Sequence, residues 1–208
     1  MILNYFFMKH PFFSFGEKVH DYDIPVFNER EVRAAAGIMF LGAMIAFMNA
    51  FLIQNFDLLK VFVVIFFLDF TLRMFVNPRY APSMILGRIF IHNQKPEYAG
   101  APQKKFAWWI GWVMAFVMTW VVVVFEIRWT FNLIMCTMCL IFLFCESVFG
   151  ICIGCKMYEF FTHKKAKLCP GGVCEFQHKH DIQKIHSSQI IALISFAILI
   201  LGISFIIL

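Results

Sequence analysis

The chain has 208 residues, 61% of them hydrophobic and only 15% charged, with 28 phenylalanines. A soluble domain of this length cannot hide so much apolar surface, so lipid is the expected solvent. A formal charge of +5 with the basic residues flanking apolar stretches excludes a nucleic-acid binder, which needs basic residues gathered on one face among stacking aromatics.

Residues 1–27 mix Phe6, Phe7, Phe12, Phe13 and Phe15 with Lys9, His10, Glu17 and Lys18, which reads as an interfacial segment or a poorly ordered tail. Met1 to Phe15 has no basic stretch leading into a sustained apolar core and no small-residue cleavage site, so no cleavable signal peptide is expected. Pro25 and Asn28 announce a helix, with Asn28 as its cap and Glu31 completing a capping-box spacing. The first span is expected from about Val32 to Ile53, and its Ala34-Ala35-Ala36-Gly37 run lets a neighbouring backbone approach closely. After a turn at Gln54 to Asp57, the second span runs from about Leu58 to Val76. It carries Asp69 and Arg73 on one face, four residues apart and able to pair. Asn77-Pro78 ends it.

Ala81 to Ile91 is apolar but too short to cross a bilayer, and reads as an interfacial or re-entrant helix. His92 to Lys105 reads as a loop. The third span follows from about Phe106 to Phe125, with Trp108 and Trp109 at the level of an aromatic belt. Glu126 to Arg128 is a tight turn, and Trp129 marks the far interface. The fourth span runs from Thr130 past Gly150, with helix expected to continue to Phe161. His163 to His186 is the longest polar loop, and Ser188 to Leu208 is an uninterrupted apolar stretch of bilayer length. The expected fold is all-α: a polytopic membrane helix bundle with a four-helix core at residues 28–161. Residues 1–27 precede it, and a Cys/His loop at residues 162–187 and a fifth transmembrane helix at residues 188–208 follow it.

Of the 18 lysines and arginines, four lie up to Arg33, six from Arg73 to Lys105 and six from Lys156 to Lys184, and only Lys60 and Arg128 fall on the other side. The positive-inside rule then places the N-terminus and both long loops in the cytoplasm, and five spans leave the C-terminus outside.

The chemistry concentrates where the fourth span ends, in Cys145-Glu146-Ser147-Val148-Phe149-Gly150-Ile151-Cys152-Ile153-Gly154-Cys155-Lys156. A carboxylate at the end of an apolar run is costly and asks for a functional reason. The Cys152-x-x-Cys155 spacing serves a dithiol/disulfide couple or half of a soft-metal site. Cys136, Cys139 and Cys145, deeper in the run, read as small packing residues. Cys169 and Cys174 in the polar loop could complete a four-sulfur zinc site with Cys152 and Cys155, so zinc or another soft metal is the alternative cofactor. Arg33, Asp69 and Arg73 fall at the same cytoplasmic level as Glu146. They are candidates to hold a small anion such as a sulfur oxyanion or persulfide beside the thiols, and a neighbouring arginine favours the reactive thiolate.

Glu146-Ser147-x-Phe149-Gly150-x-Cys152-x-Gly154-Cys155-Lys156 resembles the signature of an uncharacterised family of small bacterial integral membrane proteins, domain of unknown function family 4395. Asn28-Glu29-x-x-Val32-Arg33, Asp69-Phe70-x-x-Arg73, Pro78 with Pro82, and Val173-Cys174-Glu175 carry the same resemblance, in order, over about residues 25–176. It implies a four-helix membrane core and, through association with thioredoxin-like and rhodanese-like proteins, a link to thiol or sulfur chemistry in a bacterial inner membrane. The Phe-rich N-terminus, Cys169 and the fifth apolar segment depart from that pattern. The expected function is exchange of electrons or sulfur with a cytoplasmic thioredoxin-like or rhodanese-like partner, with Cys152, Cys155 and Glu146 as working residues. A carrier or channel for a small sulfur species or a soft metal ion, with the same thiols as ligands, is the alternative, and a non-catalytic membrane subunit the third reading.

Overall fold

The computed structural model describes residues 15–17, 24–127, 130–151, 153, 157, 158 and 160, together with residues 187, 189–191, 193–196, 198 and 202. It is an all-α helical bundle whose only strands among the described residues are one short pair. Strand β1 (Val26–Asn28) leads into helix α1 (Glu29–Leu52), and helix α2 (Asp57–Thr71) continues as a widened π turn, Leu72–Val76. A 3-10 turn at Pro78–Tyr80 precedes the short helix α3 (Pro82–Ile91) and strand β2 (Tyr98–Gly100). Helix α4 (Ala101–Met118) ends in a second π turn, Thr119–Val124. Helix α5 (Thr130–Phe144) ends in a third, Cys145–Phe149.

Local chemistry accounts for most of these boundaries. Asn28 caps α1 by accepting from Arg30 N, and Glu31 Oε1 accepts from Asn28 Nδ2, so the cap lies where the sequence placed it. Asn77, extended at φ −162°, stops the second helix ahead of Pro78 and accepts from Arg79 N to open the 3-10 turn. The loop expected over His92 to Lys105 is partly ordered structure. Tyr98–Gly100 pairs antiparallel with Val26–Asn28, and α4 begins at Ala101 with Pro102 in its first turn, five residues before the expected start. Backbone bonds that no hydropathy pattern encodes make this tie: Ala101 N donates to Pro25 O at 2.9 Å and Glu29 N to Glu97 O at 2.6 Å. Part of the N-terminal segment joins it, since Glu17 bridges Val26 and the Phe15 ring packs on Phe27 and Trp108.

Three helices, Glu29–Leu52, Ala101–Val124 and Thr130–Phe149, are long and apolar enough to cross a membrane. Their outward faces carry exposed Leu41, Ile45, Val113, Phe116, Trp120, Ile134 and Ile141, which suits contact with lipid. The helix over residues 57–76 also reaches about 30 Å at helical rise, but it includes Lys60, Asp69 and Arg73. Inside, Val32, Ala35, Ala36, Met39, Phe66, Phe70, Trp108 and Leu143 form the core. Helix α3 lies against α1 at the small-residue run, where a Cβ on Gly87 would stand 2.8 Å from Glu31 O and 3.1 Å from Ala35 N. Two backbones meet there with no room for a side chain. The fourth span does not run on unbroken as helix: Gly150 takes a left-handed conformation at φ 63° and interrupts it. In a second compact unit, Glu175–Leu208, the described residues are helical.

The Gly87 contact gives the first prediction. Gly87→Val should destabilise the protein in detergent by about 1–3 kcal/mol through overpacking. Gly202→Ala, at a position with open space around it, should be neutral or mildly stabilising. Thermal unfolding of the two variants side by side measures both.

Candidate functional site

Four of the residues singled out in the sequence, Arg33, Asp69, Arg73 and Glu146, lie among the described residues, and they occupy one end of the bundle. Asp69 and Arg73 form the expected ion pair, with Arg73 Nε donating to Asp69 Oδ2 at 2.8 Å and both side chains buried. The pair also does a task for another helix. Ala81, at the N-cap of α3, has no side chain to offer, and the Asp69 carboxylate accepts from Ser83 N at 2.9 Å instead. A carboxylate at that position answers both the orphan N–H and the positive end of the helix dipole. Ser83 Oγ lies 2.7 Å from both Asp69 oxygens and accepts from Arg73 Nη2. The Arg73 guanidinium stacks over the rings of Phe70 and Trp108, at 4.7 and 5.2 Å.

One turn before Trp108 on α4 stands Lys104, fully buried between two carboxylates. Its Nζ donates to Glu29 Oε1 at 3.1 Å and to Glu146 Oε1 at 2.8 Å. Glu29 Oε2 is 3.0 Å from the same Nζ, outside hydrogen-bonding geometry, and has no other partner among the described residues. The trio joins the start of α1, the start of α4 and the π turn after α5. With two carboxylates to one ammonium it carries a formal excess of one negative charge, and water is excluded from Glu29 and Lys104. Glu146 therefore has a partner that sequence reasoning missed, because Lys104 fell in an expected loop. Its one sequence signal was Pro102, a residue favoured in the first turn of a helix, just ahead of Lys104.

Arg33 holds the end of the fourth span. Its guanidinium donates to Val148 O at 3.0 Å and to Ser147 O at 3.3 Å, two carbonyls that the broken helix leaves without partners. A cation at a helix C-terminus also meets the negative end of the dipole. The Gly150 backbone is turned left-handed by the same break, and its N–H bonds back to Cys145 O. The left-handed backbone at Gly150 suits glycine, and a Cβ there would stand 3.2 Å from Arg33 Nη1, a tight approach to the guanidinium. The π turn, the left-handed Gly150 and Arg33 form one device, placed immediately before the Cys-x-x-Cys motif.

These charges thus form two clusters, Asp69 with Arg73 and Lys104 with Glu29 and Glu146, and Arg33 stands on the adjoining helix end. A cavity of about 50 Å³ lies beside them, lined by Phe70, Trp108, Leu143 and Glu146 among others. Trp108 Nε1 is buried there with no hydrogen-bond partner among the described residues. Cys152, Cys155, Cys169 and Cys174, the proposed working thiols and zinc ligands, lie outside the described residues. Among the described residues no three His, Cys, Asp or Glu side chains gather as a metal site. Cys136, Cys139 and Cys145 are free thiols.

The Lys104 trio yields a sharp expectation. Lys104→Met leaves two buried carboxylates facing each other and should cost about 3–5 kcal/mol of stability. Adding Glu29→Gln and Glu146→Gln to the same chain should recover most of that loss. Unfolding of the single and triple variants in detergent measures the recovery, and equal losses would dissolve the coupling.

No curated protein and no solved structure matches the chain. Residues 27–163, which contain Glu29, Arg33, Asp69, Arg73, Lys104, Glu146 and the Cys152-x-x-Cys155 motif, match the family described as "Domain of unknown function (DUF4395)". The chain belongs to that family.

Proposed function

We propose that this is a thiol-based protein of a bacterial inner membrane that exchanges electrons or sulfur with a cytoplasmic thioredoxin-like or rhodanese-like partner through Cys152 and Cys155. The observation that carries the reading is the position of Arg33. A guanidinium sits on a deliberate helix break whose left-handed residue, Gly150, precedes Cys152 by two positions. A cation held on the carbonyls just ahead of the motif favours the thiolate, the form that attacks. π turns occur disproportionately at functional positions, and the one here, Cys145–Phe149, carries Glu146.

The electron-transfer step is a thiol–disulfide exchange. One thiolate of the pair attacks a sulfur of the partner's disulfide and forms a mixed disulfide. The second thiol then displaces the partner as a dithiol, leaving Cys152 and Cys155 oxidised by two electrons. For sulfur exchange, the thiolate attacks the outer sulfur of the partner's persulfide, becomes the persulfide itself and releases the partner's thiolate. Both steps need the motif on the cytoplasmic side, which the distribution of Lys and Arg supports.

Two experiments test this. Reporter fusions near Lys165 and at Leu208 should report cytoplasm and exterior respectively, and an exterior loop would remove the partner from reach. A membrane-permeant maleimide followed by mass spectrometry should label Cys152 or Cys155 well before Cys136 and Cys139. Arg33→Gln should slow that labelling by up to about tenfold, the change in thiolate fraction that one pKa unit produces, and Arg33→Lys should restore most of the rate. Labelling of the motif that is slow and indifferent to Arg33 would sink the thiolate mechanism.

A further inference from the structure

The apolar middle of the bundle holds a second collection of sulfur that the reading above does not use. A cavity of about 50 Å³ lies among α1, α2, α4 and α5, and five sulfur side chains line it: Met114, Met118, Met135, Cys136 and Cys139. The rest of its wall is alanine, leucine, valine and phenylalanine, with no nitrogen or oxygen side chain. Cys136 and Cys139 stand three residues apart on α5, and Met114 and Met118 four apart on α4, so each pair shares a helix face. Both cysteines are free thiols. The volume exceeds the roughly 10–15 Å³ that one small guest needs. A water molecule, however, would find no polar side chain with which to hydrogen-bond.

We infer that this cavity is a binding site for a soft monovalent metal cation, Cu(I) or its analogue Ag(I), with the Cys136 and Cys139 thiolates as anionic ligands and the methionine thioethers completing the sulfur set. Thiolate and thioether together are the donors that select this class of ion. Hard cations require oxygen ligands, which the wall lacks. Structural zinc calls for four strong donors, mostly thiolate or imidazole, and only two thiolates are present. Binding releases the thiol protons, and the thiolate charge offsets that of the cation. The second cavity, the one bearing Glu146, shares Phe66, Met114 and Cys139 with this one, so the two adjoin at the sulfur-lined wall.

The site is independent of Cys152 and Cys155, and the test separates the two. The full-length chain, reduced and in detergent, is titrated with Ag(I), and with Cu(I) against a colorimetric chelator under anaerobic conditions. A variant with Cys152, Cys155, Cys169 and Cys174 all changed to serine should still hold one metal ion per chain, with only sulfur neighbours in X-ray absorption. Adding Cys136→Ser and Cys139→Ser should weaken binding on the order of a hundredfold or more, beyond the loss that even outer-shell changes produce. If those serines prevent folding, Met114→Leu with Met118→Leu keeps the volume and should lower affinity about tenfold while reducing the sulfur neighbours counted by absorption. Loss of the ion in the four-serine variant would overturn the inference, as would affinity unchanged by either the Cys136/Cys139 or the Met114/Met118 substitutions.

Discussion

One buried ammonium decides how this bundle closes. Lys104 contributes nothing to a hydropathy argument, yet it is the point where α1, α4 and the end of α5 are held together through Glu29 and Glu146. The dipoles explain why a cation is needed at that spot. Glu29 sits in the first turn of α1, where a carboxylate is favoured, whereas Glu146 lies near the C-terminal end of its helix, where it is not. Lys104 sits in the first turn of α4, again against its own helix dipole. Two side chains placed against their local fields become tolerable only through each other. An arrangement of this kind is better evidence for a specified register of helices than for net stability, because desolvation consumes much of the Coulomb gain.

The same end of the molecule shows a second economy. Helix ends that lack local caps take them from elsewhere in the chain: Asp69 on α2 caps α3, and Arg33 on α1 caps the end of the fourth span. A cap borrowed across helices satisfies these backbone groups and also fixes which helices are neighbours. Arg33 and Gly150 act together: the left-handed glycine leaves room for the guanidinium, and the guanidinium satisfies two carbonyls at the helix end.

These relations separate what was legible in the residues from what was not. The helices, the Asn28 cap, the Asp69–Arg73 pair and the close approach at Ala34 to Ala36 are local or periodic features, and each follows from spacing along one element. The pairing of Tyr98–Gly100 with Val26–Asn28, and the union of Glu29 with Lys104 across 75 positions, are not periodic, and nothing in the local sequence forecasts them. Placing His92 to Lys105 wholly in a loop followed from counting polar residues. Gln103 and Lys104 are polar and fully interior, so composition misassigned the very turn that anchors the site. Glu146 was correctly singled out as a carboxylate in need of a reason. The reason was a partner on another helix, which the fold supplies and the motif does not name.

The distribution of polar groups along the bundle carries the argument one step further. At one end stand the two charge clusters and Arg33. At the other, Asn132 donates to the Ile127 carbonyl and Lys60 pairs with Glu126. Between them Trp112 donates to Thr71 at 2.9 Å, off the wall of the central cavity, and that wall itself offers carbon and sulfur alone. A helix needing only hydrocarbon packing at that depth is served by leucine, isoleucine or valine, whose branched shapes fill space with fewer rotamers than methionine. Two Cys-x-x-Cys spacings lie on the fourth span and its continuation, Cys136 with Cys139 in the bilayer-length helix and Cys152 with Cys155 beyond the Gly150 break. The break divides them into different environments: the first pair stands among apolar side chains, the second follows a helix end held by a cation. On the readings proposed above, sulfur in the first setting holds a soft guest and in the second attacks. On those readings the break at one glycine lets the same two-residue spacing serve two kinds of chemistry.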